Sequence, residues 1–161
     1  MLTAILTISD KGSRGEREDK SGAAIREIVE EMGAKVVEHD IVADEKGHIE
    51  YALRRLAQVA DLVLTTGGTG IAPRDVTPEA TRAVIEKELP GVTEAMRMKS
   101  LEVAPTAMLS RAVAGTLGSA LIINLPGSPK AVRECLSFIE SAIPHALELL
   151  RGEGGECGRD G

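Results

Sequence analysis

The segment TTGGTGIAPRDVTPEAT, residues 65–81, places Gly67, Gly68 and Gly70 directly after an apolar run. Glycines permit positive φ and let a ligand approach backbone amides without a Cβ in the way. Asp75 follows this bare stretch, where its carboxylate either caps backbone amides or holds Mg²⁺ beside the phosphates of a nucleotide. A tight strand-to-helix turn without any ligand would need the same glycines, so the pattern alone leaves both interpretations open.

A second turn, NLPGSP at residues 124–129, places Gly127 and Ser128 at a predicted helix start. Ser128 is expected to be the N-cap, with Pro129 in the first helical position. Free N–H groups and the helix dipole favour an anion at such a position, and Lys130 adds a positive charge. An ordinary capped helix explains the same residues.

Two further polar positions are candidates for the same chemistry. Asp44 follows the second predicted strand, so it joins the glycine turns at one sheet edge if that strand is parallel to the first and third. A helix N-cap or a solvated loop charge is the alternative for a lone aspartate. Ser110 and Arg111 form a polar pair in an apolar neighbourhood, where the arginine either neutralises a phosphate or makes a surface ion pair.

These residues must be positioned by alternating strands and helices. Aliphatic and β-branched runs predict strands at residues 2–8, 34–42, 61–66 and 119–125, and apolar residues spaced at i, i+3, i+4 and i+7 predict helices between them. Alternation of this kind is typical of a three-layer α/β/α domain with a mostly parallel central sheet. Ligands on such sheets bind beyond the carboxyl ends of the strands, where both glycine turns begin.

Helix boundaries follow from local signals. Thr77 is the expected N-cap and Pro78 the first residue of a helix that runs to about Glu88, where Pro90 and the following glycine stop it. A further helix is expected from about residue 93 to residue 101, and Pro144 is expected to kink or split the last helix.

Length and composition limit the possible functions. With 161 residues the chain fits one domain, assigned to residues 1–152, and the glycine-rich segment 153–161 is expected to be a disordered tail. A net charge of -6, no Trp, one Tyr and one Phe argue against nucleic-acid binding, which needs clustered cations and stacking aromatics. Attraction of an anionic ligand must therefore be local, from backbone amides, a few basic side chains and a metal ion.

Other common classes lack their signatures. The two cysteines and three histidines are scattered without disulfide-framework or metal-ligand spacing. The first loop does not fit G-x-G-x-x-G, and the chain contains no P-loop motif, which argues against dinucleotide-binding Rossmann domains and P-loop nucleotidases. The sequence has no apolar run long enough for a membrane span and no N-terminal signal pattern, so we expect a cytoplasmic protein without a membrane partner.

Three segments, TTGGTG…RDVTPEAT, PTAMLSRAVAG and INLPGSPKAV, together resemble the molybdopterin adenylyltransferase family of molybdenum cofactor biosynthesis, the MogA and MoaB type, over residues 2–152. The resemblance implies the molybdopterin-binding domain fold and a reaction in which the terminal phosphate of molybdopterin attacks the α-phosphorus of Mg-ATP. The products are adenylylated molybdopterin and pyrophosphate. It also implies a homotrimer and handover of the product to a molybdenum-insertion enzyme.

The same resemblance implies roles for individual residues. Asp44 and Asp75 match the family's two functionally important aspartates, which organise Mg²⁺ and the reacting phosphates. The residues expected around the nucleotide are Gly67, Gly68, Thr69 and Gly70. Those expected at the same or the adjoining pterin-phosphate site are Ser110, Arg111, Pro126, Gly127 and Ser128.

Phosphoryl-type transfer suits these residues, because the protein mainly positions the groups and neutralises charge, without a nucleophilic side chain. A carrier paralogue that holds molybdopterin with little catalysis is one alternative, although the presence of both aspartates favours the enzyme. A different nucleotide-dependent enzyme on the same scaffold, such as the CinA-like group, is another. We expect no appended amidase domain, which counts against the CinA-like group. Whether molybdenum or tungsten is finally loaded, and whether another nucleotide replaces ATP, is left open.

Overall fold

The computed structural model describes residues 1–153. Its strands are β1 (Leu2–Ile8), β2 (Lys35–Val42), β3 (Leu62–Thr66), β4 (Lys87–Glu88), β5 (Ala114–Leu117) and β6 (Ala120–Leu125). Its α-helices are α1 (Asp10–Ser13), α2 (Lys20–Glu31), α3 (Lys46–Leu56), α4 (Thr77–Val84), α5 (Pro90–Leu101), α6 (Pro129–Ile139) and α7 (Ile143–Leu150). Short 3₁₀ helices cover Pro105–Leu109 and Glu140–Ala142. The predicted disordered tail lies outside the described residues, except for its first residue.

The strands form one sheet in the order β2-β1-β3-β6-β5-β4. Neighbours among β2, β1, β3 and β6 are parallel, whereas β5 is antiparallel to both β6 and β4. The chain moves to one side of β1 for β2 and to the other side for β3, which creates the switch in strand order where ligands bind such sheets. The carboxyl ends of β1, β2, β3 and β6 therefore meet along one edge.

Helices cover both faces of the sheet. Alternate residues of each buried strand point to opposite faces, so that Ile5 and Leu64 belong to one apolar cluster, whereas Leu6 and Val63 belong to another. The first cluster includes apolar side chains of α2, α5, α6 and α7, and the second those of α3 and α4. The predicted three-layer α/β/α architecture with a mostly parallel sheet is confirmed.

The segment after the first glycine turn differs from the prediction. Helix α4 ends at Val84 instead of continuing to about Glu88, because Ile85 is extended and Lys87–Glu88 pairs with β5 as an antiparallel edge strand. Pro90 does not end a helix but begins α5. The N-cap of α4 is Val76 and not Thr77. Pairing with a distant strand overrides the local helix pattern here.

Candidate functional site

The first glycine turn is shaped by its contacts with neighbouring elements. Gly67 and Gly68 have φ of 97° and 67°. A Cβ on Gly67 would lie 2.3 Å from the carbonyl oxygen of Ile8, and one on Gly68 would lie 2.3 Å from Oγ1 of Thr77. Thr77 also donates its hydroxyl to the carbonyl of Gly67, at 2.9 Å. Both glycines are therefore required for the turn to pack against β1 and α4.

Position 70 needs a glycine for a different reason. Within the described residues, Gly70 does not have a positive φ. The expectation that it uses the conformational freedom of a glycine is therefore not met. A Cβ at Gly70 would lie 2.8 Å from Oδ2 of Asp75. The same oxygen accepts the N–H of Ala72 at 3.0 Å, and the N–H of Asp75 donates to the carbonyl of Ala72 at 2.9 Å. The carboxylate of Asp75 thus closes the turn on itself and needs a glycine beside it.

Asp44 is held at the same edge by Asp10, the residue that begins α1. Oδ2 of Asp44 accepts the N–H of Asp10 at 2.9 Å, and the N–H of Asp44 donates to Oδ1 of Asp10 at 3.0 Å. Oδ1 of Asp44 lies 3.2 Å from the point that a Cβ on Gly68 would occupy. One carboxylate oxygen of Asp44 is therefore fixed by backbone, and the other faces the glycine turn.

The electrostatic surroundings of Asp44 favour a bound cation. Burial raises the pKa of Asp44, because it disfavours the charged form, and the negative charges of Asp10 and Asp75 act in the same direction. The N–H of Asp10 and the charge of Arg74 oppose that shift. A cation placed next to Asp44 would stabilise its charged form against burial and against these two neighbouring carboxylates.

A cavity of about 740 Å³ opens beside these residues, and we call it the polar cavity. It contains six of the predicted site residues: Asp44, Asp75, Gly67, Gly68, Gly127 and Ser128. Arg17 and Lys20 line the same space and are the basic side chains that could attract an anion in an acidic protein. The polar cavity thus combines the carboxylates of Asp44 and Asp75 with those of Glu18 and Asp19, two glycine turns and two cations.

The wall of the polar cavity that α2 forms is fixed by Asp19. This N-cap residue accepts hydrogen bonds from the N–H of Gly22 at 2.8 Å, from the hydroxyl of Thr7 at 2.5 Å and from Nε2 of His39 at 2.8 Å. Burial alone would raise the pKa of Asp19, but the bonds from His39, Thr7 and Gly22 outweigh it and lower the pKa to about 2. The start of α2, with Lys20, is tied to β1 and β2.

A second cavity of about 370 Å³ lies on the other part of the glycine turn, and we call it the apolar cavity. Thr69, Gly70, Ser110 and Pro126 line it, together with residues of α5, among them Met96 and Arg97, and of the 3₁₀ helix Pro105–Leu109. Its exposed surface is largely apolar. The predicted site residues are therefore divided between two adjoining cavities that share one turn.

The second turn has the predicted form. Ser128 is the N-cap of α6 and its hydroxyl accepts the N–H of Ala131 at 3.2 Å, with Pro129 at the helix start. The hydroxyl of Thr66 donates to the carbonyl of Pro126 at 2.7 Å. A Cβ on Gly127 would lie 3.6 Å from Cα of Gly67, so the two glycine turns are in contact range.

Arg111 braces the first turn. Its Nε donates to the carbonyl of Gly70 at 2.8 Å, its Nη2 donates to the carbonyl of Asp75 at 2.9 Å, and its Nη1 pairs with Glu79. Within the described chain it lines neither the polar nor the apolar cavity. The structure shows the ion-pair alternative for Arg111, and contact with a phosphate stays a prediction.

Sequence reasoning missed Asp10 and Arg74. Asp10 follows β1 just as Asp44 follows β2. The strand-end argument used for Asp44 applies equally to Asp10 and could have identified it. Arg74 precedes Asp75 in the quoted motif and pairs with Asp10.

Residues 1–153 contain no group of three or more His, Cys, Asp or Glu side chains arranged to hold a metal ion. They also contain no helix that is both long and apolar enough to cross a membrane.

The fold and the site define a single α/β domain whose ligand cavities lie at the strand-order switch of a mostly parallel sheet. Residues 4–145 match the family model described as probable molybdopterin binding domain, and the chain belongs to this family. Over 152 residues it is 50% identical to a molybdopterin adenylyltransferase of Helicobacter pylori strain J99, covering 92% of this chain and 86% of that protein.

Solved structures agree with this assignment. The chain is similar to the crystal structure of the molybdopterin biosynthesis enzyme MoaB from Thermus thermophilus, with a TM-score of 0.88 and 50% identity over 94% of this chain and 96% of that one. It is also similar to a tungsten cofactor synthesizing protein, MoaB from Pyrococcus furiosus, with a TM-score of 0.86 and 40% identity over 93% and 96% of the two chains.

Proposed function

We propose that this protein is a molybdopterin adenylyltransferase of molybdenum cofactor biosynthesis, with ATP as the adenylyl donor. The observation that carries this proposal is the pair of cavities that share the turn at residues 67–70, one polar with Asp44 and Asp75 among its four carboxylates and one with a largely apolar surface. A reaction that joins two phosphorylated substrates needs two binding spaces that meet where the phosphates react. Identity of 50% to a molybdopterin adenylyltransferase supports the same function.

The polar cavity would take ATP. Its volume of about 740 Å³ is within the range of cofactor sites, and Arg17 and Lys20 would attract the triphosphate. The bare backbone of Gly67 and Gly68 would let the phosphates approach the main chain closely. The apolar cavity, at about 370 Å³, would take the flat pterin of molybdopterin, with Ser110 and Thr69 available for polar contacts.

The residues of the polar cavity fit Mg²⁺. Oδ1 of Asp44 faces the glycine turn, and burial together with the charges of Asp10 and Asp75 disfavours the charged form of this carboxyl in the absence of a further cation. Because no three-ligand cluster exists within residues 1–153, the other ligands would be phosphate oxygens and water, as is usual for Mg²⁺. Asp44 and Asp75 would hold the ion, and when bound it supplies neutralisation of phosphate charge.

In the proposed reaction an oxygen of the molybdopterin phosphate forms a bond to the α-phosphorus of ATP. The bond from that phosphorus to the oxygen of the β-phosphate breaks, and pyrophosphate leaves. The protein mainly positions the reacting groups. The turn would orient the α-phosphate, and Asp44 and Asp75 would place negative charge where Mg²⁺ binds beside the phosphates. Arg111 keeps the turn in place through its hydrogen bonds to the carbonyls of Gly70 and Asp75.

The remaining expectations are also proposals. We propose a homotrimer, which light scattering would test: a mass of three chains supports it, and a monomer at working concentration contradicts it. We further propose a cytoplasmic enzyme that passes its product to a molybdenum-insertion enzyme. Because the proposed step acts on phosphate groups, the metal finally loaded, molybdenum or tungsten, does not enter it.

The test of function is to incubate the purified protein with Mg-ATP and molybdopterin and to measure adenylylated molybdopterin and pyrophosphate. Product from the wild type, but not from an Asp75→Ala variant, is expected. Tight molybdopterin binding without product in the wild type would favour a carrier protein instead. A wild type that neither binds molybdopterin nor forms product would contradict the proposal as a whole.

A further inference from the structure

We propose that Asp10 and Arg74 are positioning residues that aim the carboxylate of Asp44 into the polar cavity. This inference rests on the proposed function, since it concerns how the adenylyl-transfer site is assembled. Asp10, Asp44 and Arg74 lie in the connections that follow β1, β2 and β3.

The contact between Asp10 and Asp44 is reciprocal. Each residue donates its backbone N–H to the other's carboxylate, at 2.9 Å and 3.0 Å. Two such bonds fix both the backbone and the side chain of Asp44, and they occupy its Oδ2. Only Oδ1 is then directed at the glycine turn, where it lies 3.2 Å from the Cβ position of Gly68.

Arg74 fixes Asp10 in turn. Its Nε donates to Oδ2 of Asp10 at 2.7 Å, and its Nη2 donates to Oδ1 at 3.0 Å, a bidentate arrangement that constrains the plane of the carboxylate. Nη2 also contacts Glu45 at 3.1 Å, next to Asp44 in the chain. One guanidinium therefore connects the three strand-end segments that carry Asp10, Asp44 and Asp75.

Charge explains why both partners are needed. Asp10 and Asp44 are two carboxylates in close contact, and they repel each other. The guanidinium of Arg74 neutralises Asp10, so that of these two carboxylates only Asp44 presents an unpaired negative charge to the polar cavity. Asp10 can then orient Asp44 without competing for the cation that Asp44 would hold.

Stability alone does not account for this pair. The side chains of Arg74 and Asp10 are 55% and 27% exposed, and ion pairs with an exposed partner contribute little to folding. We therefore expect their removal to affect catalysis and metal affinity much more than thermal unfolding. A purely structural pair would show the opposite pattern.

The experiment compares Asp10→Ala, Arg74→Met and the double variant with the wild type. Glu16→Ala is the matched control, because Glu16 is an exposed acidic residue of the same connection whose partner is Arg14. For each protein we would measure kcat, the KM for molybdopterin, the melting temperature, and Mn²⁺ affinity by electron paramagnetic resonance with α,β-methylene-ATP, which cannot transfer its adenylyl group.

Asp10→Ala is expected to lower kcat and Mn²⁺ affinity by about 10- to 100-fold, the usual effect of removing a residue that orients a metal ligand. The KM for molybdopterin and the melting temperature are expected to stay at wild-type values. Arg74→Met should have a smaller effect in the same direction. The double variant should be no worse than Asp10→Ala, because both residues act through Asp44.

Wild-type kcat and Mn²⁺ affinity in Asp10→Ala, or losses matched by Glu16→Ala, would overturn the inference. If Asp10→Ala does not fold, Asp10→Asn replaces it, because the amide keeps an acceptor oxygen for the N–H of Asp44 but loses the bidentate pair with Arg74. A partial reduction of kcat and Mn²⁺ affinity is then expected, and wild-type values would overturn the inference. A wild type that binds Mn²⁺ but forms no product would overturn the proposed function, while the Mn²⁺ affinities of the variants still test positioning. A wild type that binds no Mn²⁺ would overturn both.

Discussion

The polar and apolar cavities share one turn but are built differently. The walls of the polar cavity are held by charged side chains tied to backbone, such as Asp44 to Asp10 and Asp19 to Gly22. The exposed surface of the apolar cavity is largely apolar, with Met96, Ala107 and Leu109 in its wall beside a few polar side chains such as Arg97. Directional bonds fix the orientation of reacting groups, whereas packing fixes shape. We therefore expect changes in the polar cavity to alter kcat and changes in the apolar cavity to alter the KM for molybdopterin.

The largest effect is expected from the carboxylates. Asp44→Ala or Asp75→Ala should lower kcat by about 100- to 1000-fold, because each removes a fixed charge that organises the reacting phosphates. Molybdopterin binding and the circular dichroism spectrum should be retained. Full activity in either variant would remove that residue from the mechanism and weaken the distinction between the cavities.

The second largest effect is expected from adding a Cβ at the shared turn, which should weaken ATP binding. Gly68→Ala places a methyl group 2.3 Å from Oγ1 of Thr77 at a φ of 67°, so we expect a loss of about 1–3 kcal/mol in stability and a higher KM for ATP. Gly47→Ala is the control, since Gly47 lies within α3 with nothing near its Cβ position. Equal melting temperatures for the two variants would show that the turn is not constrained as described.

Filling the apolar cavity should affect molybdopterin alone. Ala107 is half-buried in its wall, and Ala107→Met would reduce the space for a pterin, so that the KM for molybdopterin rises about 10-fold, or about 1.4 kcal/mol. The KM for ATP should stay constant. Gln58→Met, an exposed position outside both cavities, is the control. If the KM for ATP rises instead, the assignment of ATP to the polar cavity and of the pterin to the apolar cavity would be reversed.

The smallest effect is expected on stability at the α2 wall. Asp19→Ala should cost about 1 kcal/mol near neutral pH, through loss of the N-cap. Because folding lowers the pKa of Asp19 from 3.8 to about 2, its charged form stabilises the protein above pH 4, and that stabilisation is lost as the pH falls towards 2. Urea unfolding should show the difference between wild type and variant shrinking over this range. A difference that is constant with pH would contradict the assigned hydrogen bonds.

Local signals were sufficient for much of the fold. An apolar run predicted β1, and a serine followed by proline predicted the start of α6, because both features act through neighbouring residues. The predicted end of α4 was wrong, since Lys87–Glu88 forms an edge strand only through pairing with β5, which lies far along the chain. Pairing of that kind leaves no mark on a local window of sequence.

The candidate site shows the same limit. The glycines and Asp75 were found because they are adjacent in sequence, and Asp44 was found from its place after a strand. Asp10 contacts Asp44 across 34 positions and Arg74 across 64, so their association depends on the folded sheet. Likewise, the division of the site residues between two cavities follows from the direction of the turn in space and not from motif order.

The most direct test of the two-cavity account is a crystal structure of the protein with α,β-methylene-ATP and molybdopterin. We predict the nucleotide in the polar cavity, with its phosphates over Gly67 and Gly68, and the pterin in the apolar cavity beside Ser110. A pterin bound in the polar cavity, or a nucleotide bound in the apolar cavity, would contradict the account.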